Sequence, residues 1–174
     1  MNELIENLNK LLASSFAMYL KIHFFHWNVK GQDFAQYHEF FGKLYEEIFI
    51  SVDKTAEQIK AQNGVAYGSL SQYQSLSVVL DQTNVPSLQE MISILYRDNE
   101  TLLSVLEEVH IIAEQYKQYG LINYIEDRID THKKHGWMLK SSMSVENTLS
   151  FPPVKEEFSV EEEIKTYTLD VKNL

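Results

Sequence analysis

The fold is decided at residues 21–38, which read KIHFFHWNVKGQDFAQYH. Apolar side chains recur at three- and four-residue steps over residues 2–29 and again over residues 34–62, which is the spacing of an amphipathic α-helix. Gly31 interrupts the pattern between the two segments, and Asp33 is a candidate N-cap for the second. The stretch therefore predicts two long helices that run antiparallel on either side of a short turn.

Two further long helices are predicted on the C-terminal side. Ser87, with Glu90 three residues later, has the pattern of a capping box that opens the third helix. This helix is expected to run to about Tyr119, where Gly120 stops it, and a fourth helix is expected over residues 121–143.

The connection between the second and third helices is long. The second helix is expected to end at Asn63-Gly64, and residues 69–76 can form one short helix inside the connection. Four long helices with a single long crossover predict an all-α, ferritin-like four-helix bundle in which the second and third long helices run parallel.

The chain changes character after the bundle. Residues 145–174 contain Pro152-Pro153, seven acidic residues and three lysines, so this segment has a net charge of 3 − 7 = −4. The sequence predicts a ferritin-like bundle over residues 1–144 and an acidic, extended C-terminal segment over residues 145–174.

Composition limits the chemistry. The 174 residues include no cysteine, so a metal site has to use nitrogen and oxygen donors. The net charge of −10 disfavours non-specific binding to nucleic acid or to an anionic membrane. The first residues lack the basic and apolar pattern of a signal peptide, and no apolar stretch has the length of a membrane span. A cytoplasmic protein is expected.

Four side chains could form a metal site. His26 and His38 are equidistant from residue 32, so an antiparallel hairpin places them side by side. Asp53 and Glu57 are four residues apart and share one face of the second helix. However, 15 residues of helix separate His38 from Asp53 by about 22 Å. One chain cannot close that gap.

Two chains can close it. If the second helix packs antiparallel against its own copy, with a two-fold axis near Tyr45-Glu46, His38 of one chain lies opposite Asp53 of the other. Imidazole and carboxylate donors suit iron, with zinc or manganese as alternatives. An Asp-x-x-x-Glu pair is also common on solvent-exposed helix faces, and this interpretation stays open.

Other groupings have weaker support. His23 and His26 form an i, i+3 pair without an obvious carboxylate partner. Glu107 and His110 supply one Glu-x-x-His motif, whereas an intrachain di-iron site needs two. Two histidines of the fourth helix adjoin two lysines, which argues against a cation site; these residues are His132, Lys133, Lys134 and His135.

The sequence around His26-Trp27-Asn28 resembles the Dps family of miniferritins (DNA-binding proteins from starved cells). The resemblance covers residues 3–143. Its motif residues are Lys21 to Gly31, Phe34, His38, Tyr45, Asp53, Ala56, Glu57, Gly68 to Leu70 and His135 to Leu139.

The resemblance implies a function and a ligand set. It implies a homododecameric shell that binds iron at two-fold interfaces, oxidises Fe(II) to Fe(III) with hydrogen peroxide in preference to dioxygen, stores ferric mineral and protects against oxidative damage. It implies that the iron ligands are His26, His38, Asp53 and Glu57, with Trp27 beside them as a scavenger of oxidising equivalents. Three acidic residues of the fourth helix are candidates for a pore at the three-fold axis, although a solvated helix face explains them equally well; they are Glu126, Asp127 and Asp130.

The chain departs from many Dps proteins at its ends. Family members that coat DNA often carry a lysine-rich tail, whereas here Lys10 is the only basic residue before Lys21 and the C-terminal segment is acidic. DNA binding is therefore not expected at physiological salt. Two alternatives to the iron-oxidising cage remain: a nucleoid-associated, DNA-protecting protein with secondary iron oxidation, and a structural cage that has lost activity or prefers zinc.

Overall fold

A computed structural model describes residues 2–143, which form five helices. The helices are α1 (Asn2–Asn28), α2 (Phe34–Ala61), α3 (Leu70–Leu76), α4 (Leu88–Gln115) and α5 (Tyr119–Ser141). No strand occurs within this range. The all-α prediction, the four long helices and the short helix in the crossover are confirmed. The predicted C-terminal segment lies outside the described residues, and its boundary stays a prediction.

Ion pairs between helices give their relative directions. Lys10 pairs with Glu108 and Lys21 pairs with Asp98, so α1 and α4 run antiparallel. A short turn reverses the chain between α1 and α2, so these helices are antiparallel as well. It follows that α2 and α4 run parallel, as the long crossover predicts.

The hydrophobic core lies between the four long helices. Each helix contributes one apolar stripe, as the three- and four-residue periodicity predicts. The fully buried side chains include Leu4, Leu8, Ile22 and Phe25 of α1, Phe41, Ile48 and Ile59 of α2, Ile92, Leu95, Leu102 and Val109 of α4, and Ile125 and Leu139 of α5. None of the helices in the described range has the length and hydropathy needed to cross a membrane.

The helix starts agree only partly with their predicted caps. The Ser87 hydroxyl accepts from the Glu90 N–H at 3.3 Å, and the Glu90 carboxylate accepts from the Ser87 N–H at 2.8 Å, which confirms the capping box. Asp33 occupies the N-cap position of α2, but its side chain makes no capping hydrogen bond. Its φ of −94° and ψ of 19° depart from the extended conformation that directs an N-cap side chain at the first turn.

The helix ends show one error in the predicted boundaries. The end of α2 at Asn63-Gly64 is confirmed, with Asn63 in the left-handed conformation at φ 60°. Gly120, however, does not stop α4. That helix ends at Gln115, and Lys117 takes the left-handed position at φ 55° while Gln118 N–H donates to the Ala113 carbonyl. These are the features of a Schellman motif.

Candidate metal centre

The turn between α1 and α2 brings His26 and His38 together. Their ring centroids are 3.7 Å apart and the rings are nearly parallel, at 23°. Both side chains are half-buried. The prediction that two histidines twelve residues apart meet across the hairpin is therefore confirmed in a single chain.

Crossed hydrogen bonds fix the tautomer of both rings. His26 Nδ1 lies 2.7 Å from the His38 carbonyl oxygen, and His38 Nδ1 lies 2.9 Å from the His26 carbonyl oxygen. Because a carbonyl oxygen can only accept, each Nδ1 carries a proton, and in the neutral ring Nε2 then keeps its lone pair. Neither Nε2 has a hydrogen-bond partner within the described residues. A carbonyl that holds one ring nitrogen while the other faces a metal is the usual arrangement of a metal-binding histidine.

Gly42 lies against the ring of His26. A Cβ atom at this position would stand 3.4 Å from His26 Cε1 and 3.5 Å from His26 Nδ1, which is ordinary van der Waals contact. A glycine inside a helix costs about 1 kcal/mol relative to alanine. Alanine fits here, whereas a longer side chain would press on the His26 ring.

Asp53 and Glu57 lie on the exposed face of α2, away from the two histidines. They continue a stripe with Glu46 and Ile50, since the steps of four, three and four residues keep all four side chains on one side of the helix. About 22 Å of helix separates His38 from Asp53. The described residues contain no group of three or more histidine, aspartate or glutamate side chains able to hold a metal. Within one chain the histidine pair and the carboxylate pair therefore stay apart.

Large apolar side chains are exposed on the same two helices as the histidine and carboxylate pairs. Phe49 is 55% exposed, Ile50 is 56% exposed and Trp27 is 60% exposed, and Leu20 is also exposed. The Phe49 ring contacts Tyr19 with centroids 5.0 Å apart, so the apolar surface extends over both α1 and α2. Contiguous exposed apolar surface of this kind is frequent where proteins associate.

Trp27 and His23 form an aromatic group next to the histidine pair. The Trp27 ring contacts His23 at 4.2 Å between centroids, and His23 stacks on Tyr45 at 4.1 Å and 20°. Burial, and secondarily the neighbouring His26, lowers the pKa of His23 below its usual value. The His23 and His26 centroids are 6.1 Å apart. His23 is therefore held by ring stacking. It lies between Trp27 and the pair formed by His26 and His38.

The three candidate pore residues are all exposed on α5. Glu126 and Asp130 line a cavity of about 480 Å³ together with Glu107 and His110, whereas Asp127 is not among its lining residues. The His110 Nε2 atom lies 3.1 Å from Glu126. The single Glu-x-x-His motif thus meets two of the acidic residues at the surface between α4 and α5.

The other two histidines are buried in a network that the sequence analysis missed. His132 Nδ1 donates to Asn99 Oδ1 at 2.8 Å, and its Nε2 lies 3.0 Å from Arg128 Nη2. Arg128 also binds Glu47 of α2 with both of its terminal nitrogens. Burial lowers the pKa of His132 well below its usual value and that of His135 to about 4, against the opposing charge of Glu47 at His135.

Arg128 is the cation in contact with His132, whereas Lys133 and Lys134, the expected obstacle to a cation site here, are exposed. Arg128 and Lys134 both lower the pKa of His135 through their charge. The missed signal was helical spacing: positions 128, 132, 135 and 139 share one face of α5, and Leu139 is buried on it.

Comparison with known proteins gives one consistent result. A profile of the Ferritin-like domain family matches residues 5–146. General stress protein 20U of Bacillus subtilis is 29% identical over 139 residues, which cover 80% of this chain and 96% of that one. DNA protection during starvation protein 2 of Bacillus anthracis is 29% identical over 142 residues, which cover 82% of this chain and 97% of that one. The crystal structure of Dps from Staphylococcus aureus superposes with a TM-score of 0.80 at 31% identity, covering 84% of this chain and 98% of that one.

Proposed function

The chain belongs to the Dps family of ferritin-like proteins, and from that premise we propose that it is an iron-storage miniferritin that oxidises Fe(II), with hydrogen peroxide as the favoured oxidant. The observation that carries the proposal is the histidine pair between α1 and α2, whose Nε2 atoms have no hydrogen-bond partner within the described residues, together with two exposed carboxylates on α2. Oxidised iron is then stored as mineral inside a cage of twelve chains.

The proposed site needs two chains. An antiparallel contact between α2 and its copy, with the two-fold axis near Tyr45-Glu46, sets His38 level with Asp53 of the second chain. Each dimer then carries two identical sites, each with His26 and His38 from one chain and Asp53 and Glu57 from the other. The exposed Phe49 and Ile50 support this contact, because both lie between the axis and Asp53 and would be buried by it.

The chemistry follows from the donor set. Fe(II) is the substrate, and two imidazole nitrogens with two carboxylates match its preference for nitrogen and oxygen donors. Two Fe(II) ions give up one electron each, the O–O bond of peroxide breaks, and both oxygens leave as water after taking up two protons. The carboxylates offset the positive charge of the bound ions, while the carbonyl bonds to Nδ1 hold the imidazoles in place. We expect Trp27 to accept oxidising equivalents that escape this reaction.

The proposed route for iron into the cage passes the acidic residues of α5. The cavity shared by Glu126, Asp130, Glu107 and His110 has the negative charge that attracts a divalent cation. Asp127 lies on the same exposed stretch of α5 but outside that cavity. We propose that Glu126 and Asp130 line the pore and that Asp127 contributes charge near its mouth.

Subunit mixing tests the shared site directly. His38→Ala removes one of the two imidazoles from both sites in a dimer, and Asp53→Ala removes one of the two carboxylates from both. A mixed dimer of the two variants has one site with both defects and one site with none. After random reassembly half of the dimers are mixed, so we expect about a quarter of the wild-type sites to recover.

The readout is the rate of ferric iron formation when peroxide is added to anaerobic Fe(II). Each variant alone should oxidise iron at the uncatalysed rate, and the reassembled mixture should recover about a quarter of the wild-type rate. Asp81→Ala, at an exposed residue of the crossover, and Gln36→Ala, at an exposed residue near His38, serve as matched controls. A mixture as inactive as its parents, while the controls stay active, would overturn the shared site.

A direct role on DNA is the competing function, since relatives carry the name DNA protection during starvation protein. We propose that this chain protects by consuming iron and peroxide, because a net charge of −10 per chain repels phosphates. In a gel-shift experiment at about 0.15 M salt the assembled protein should leave duplex DNA unshifted. A clear shift that disappears at higher salt would favour the nucleoid-associated alternative.

A further inference from the structure

The interior of the bundle contains polar side chains that bridge its helices. Lys21 of α1 pairs with Asp98 of α4 at 2.5 Å. Asn99 of α4 exchanges hydrogen bonds with His132 of α5, and Arg128 of α5 binds Glu47 of α2. Together with His135 we call these residues the polar belt. Five of its members are more than nine-tenths buried: Lys21, Asn99, Arg128, His132 and His135.

Polar and ionisable side chains in this position need an explanation, because the interior of a bundle that binds no metal is expected to be apolar. Ferritin-like bundles that bind two metal ions within one chain do so with carboxylates and histidines that project inward from the four helices. This chain has donors of that kind: Glu47, His132 and His135. All three lie around one group, the Arg128 guanidinium.

The distances show how closely they surround it. Arg128 Nη2 lies 3.0 Å from His132 Nε2 and 3.2 Å from Glu47 Oε2, and the second carboxylate oxygen contacts Nη1. His135 Nε2 lies 3.6 Å from the same Glu47 Oε2. The other ring nitrogen of His135, Nδ1, is buried and has no hydrogen-bond partner within the described residues. One carboxylate and two imidazoles thus face a permanent cation.

The charges at this position oppose the entry of a metal ion. Arginine stays protonated at any physiological pH, so its guanidinium neutralises Glu47 and repels a second cation. The more buried carboxylate of the belt, Asp98, is neutralised in the same way by Lys21. Glu47, whose side chain is 37% exposed, and Asp98 are therefore both already paired with a side-chain cation from another helix.

We propose that Arg128 is a specificity-determining residue that keeps divalent metal out of the bundle: its guanidinium stands between Glu47 and His132, and while it is there these two side chains and His135 do not form a group that can hold a metal. Removing the guanidinium frees His132 Nε2 and the Glu47 carboxylate, which with His135 form a carboxylate and two-imidazole site for a divalent cation. Arg128 thus leaves the surface histidine pair as the place where iron binds.

The test counts Co(II) in a chain whose surface site has been disabled. In a His38→Ala, Asp53→Ala background, Co(II) binding is measured by equilibrium dialysis and by visible absorption. We expect no interior binding with Arg128 in place, about one Co(II) per chain in Arg128→Met or Arg128→Gln, and none in Arg128→Lys, which keeps the charge. Adding Glu47→Gln or His132→Ala to Arg128→Met should abolish the gain.

Three outcomes overturn the proposal. One is a folded Arg128→Met or Arg128→Gln chain that gains no Co(II), and another is a gain that survives Glu47→Gln and His132→Ala together. If both Arg128 variants are unfolded without metal, Co(II) should restore their helical circular dichroism, because binding to the folded site stabilises the fold. Failure of Co(II) to restore it is the third. Because the readout is Co(II) binding in an iron-inactive background, this result is independent of whether the protein oxidises iron.

Discussion

Two pairs of histidines in this molecule have opposite environments. His26 and His38 lie at the surface of α1 and α2, where each ring gives one nitrogen to a backbone carbonyl and keeps the other free. His132 uses both ring nitrogens, and it lies with His135 in the interior beside Arg128. Hydrogen-bond partners and neighbouring charge, more than residue type, therefore decide whether an imidazole is available to a metal.

The largest expected difference between the pairs is in metal binding. His26→Ala removes one of the two free Nε2 atoms, and we expect Fe(II) or Co(II) affinity at the surface site to fall at least about 100-fold. The free energy of unfolding should fall by only about 1 kcal/mol, since one hydrogen bond is lost. His132→Ala should leave metal affinity unchanged. Metal titration combined with urea unfolding measures both quantities, and equal metal affinities for the two variants would contradict the contrast.

The interior pair should matter for stability instead. Asn99→Leu leaves His132 Nδ1 without its acceptor and removes the bond from Asn99 Nδ2 to the His132 carbonyl, and both lost partners are buried. We expect the free energy of unfolding to fall by about 2–4 kcal/mol, because buried polar groups without partners cost about 1–3 kcal/mol each.

The matched control for this variant is Asn123→Leu on α5, which is exposed and should change stability little. Both proteins are compared by urea unfolding at one fixed chain concentration, since assembly contributes to stability. If Asn99→Leu is as stable as the control, the polar belt does not hold the helices together.

Acid should destabilise the fold through the interior pair. Burial holds the pKa of His135 at about 4 and that of His132 well below its usual value, so the unfolded chain takes up protons near pH 6.5 while the folded chain does not. The contribution of the two neutral histidines to the free energy of unfolding is therefore complete above about pH 6.5 and is lost as the pH falls toward 4. His135 alone should account for about 2 kcal/mol at pH 5.

The measurement is the urea midpoint between pH 7.5 and 4.5 for the wild type and for His135→Gln. The variant should show a shallower fall, since glutamine does not titrate. If the urea midpoints of the two proteins fell with pH at the same slope, protonation of His135 would not lower the stability of the folded chain.

The two pairs also differ in how far the sequence predicts them. His26 and His38 are linked by a local hairpin, so their distances from residue 32 were enough to place them together. The belt depends on which face of α5 meets α2, a contact between residues 81 positions apart at Glu47 and Arg128. Local patterns carry no such information. The end of α4 was also beyond local prediction. Leu121 of α5 is buried, so the turn has to be complete before Gly120, and Lys117 therefore takes the left-handed position.

The smallest expected effects come from the glycine beside each pair. A Cβ at Gly42 would stand 3.4 Å from the His26 ring, whereas a Cβ at Gly136 would stand 3.0 Å from Asn99 Nδ2. Gly42→Ala should therefore raise stability by up to about 1 kcal/mol, since alanine favours the helix and fits the space. Gly136→Ala gains the same preference, but Asn99 has to move and its bond to the His132 carbonyl lengthens, so we expect a net loss of about 1 kcal/mol.

Gly42→Leu extends this comparison to the surface site. Its longer side chain should displace the His26 ring and weaken Co(II) binding about 10-fold, while Gly42→Ala leaves binding unchanged. Urea unfolding and Co(II) titration of the three variants separate packing from metal binding. If Gly136→Ala stabilised the protein as much as Gly42→Ala, the interior contact at Asn99 would be looser than its 3.0 Å spacing implies. In that case the two histidine pairs would differ in charge and hydrogen bonding but not in packing.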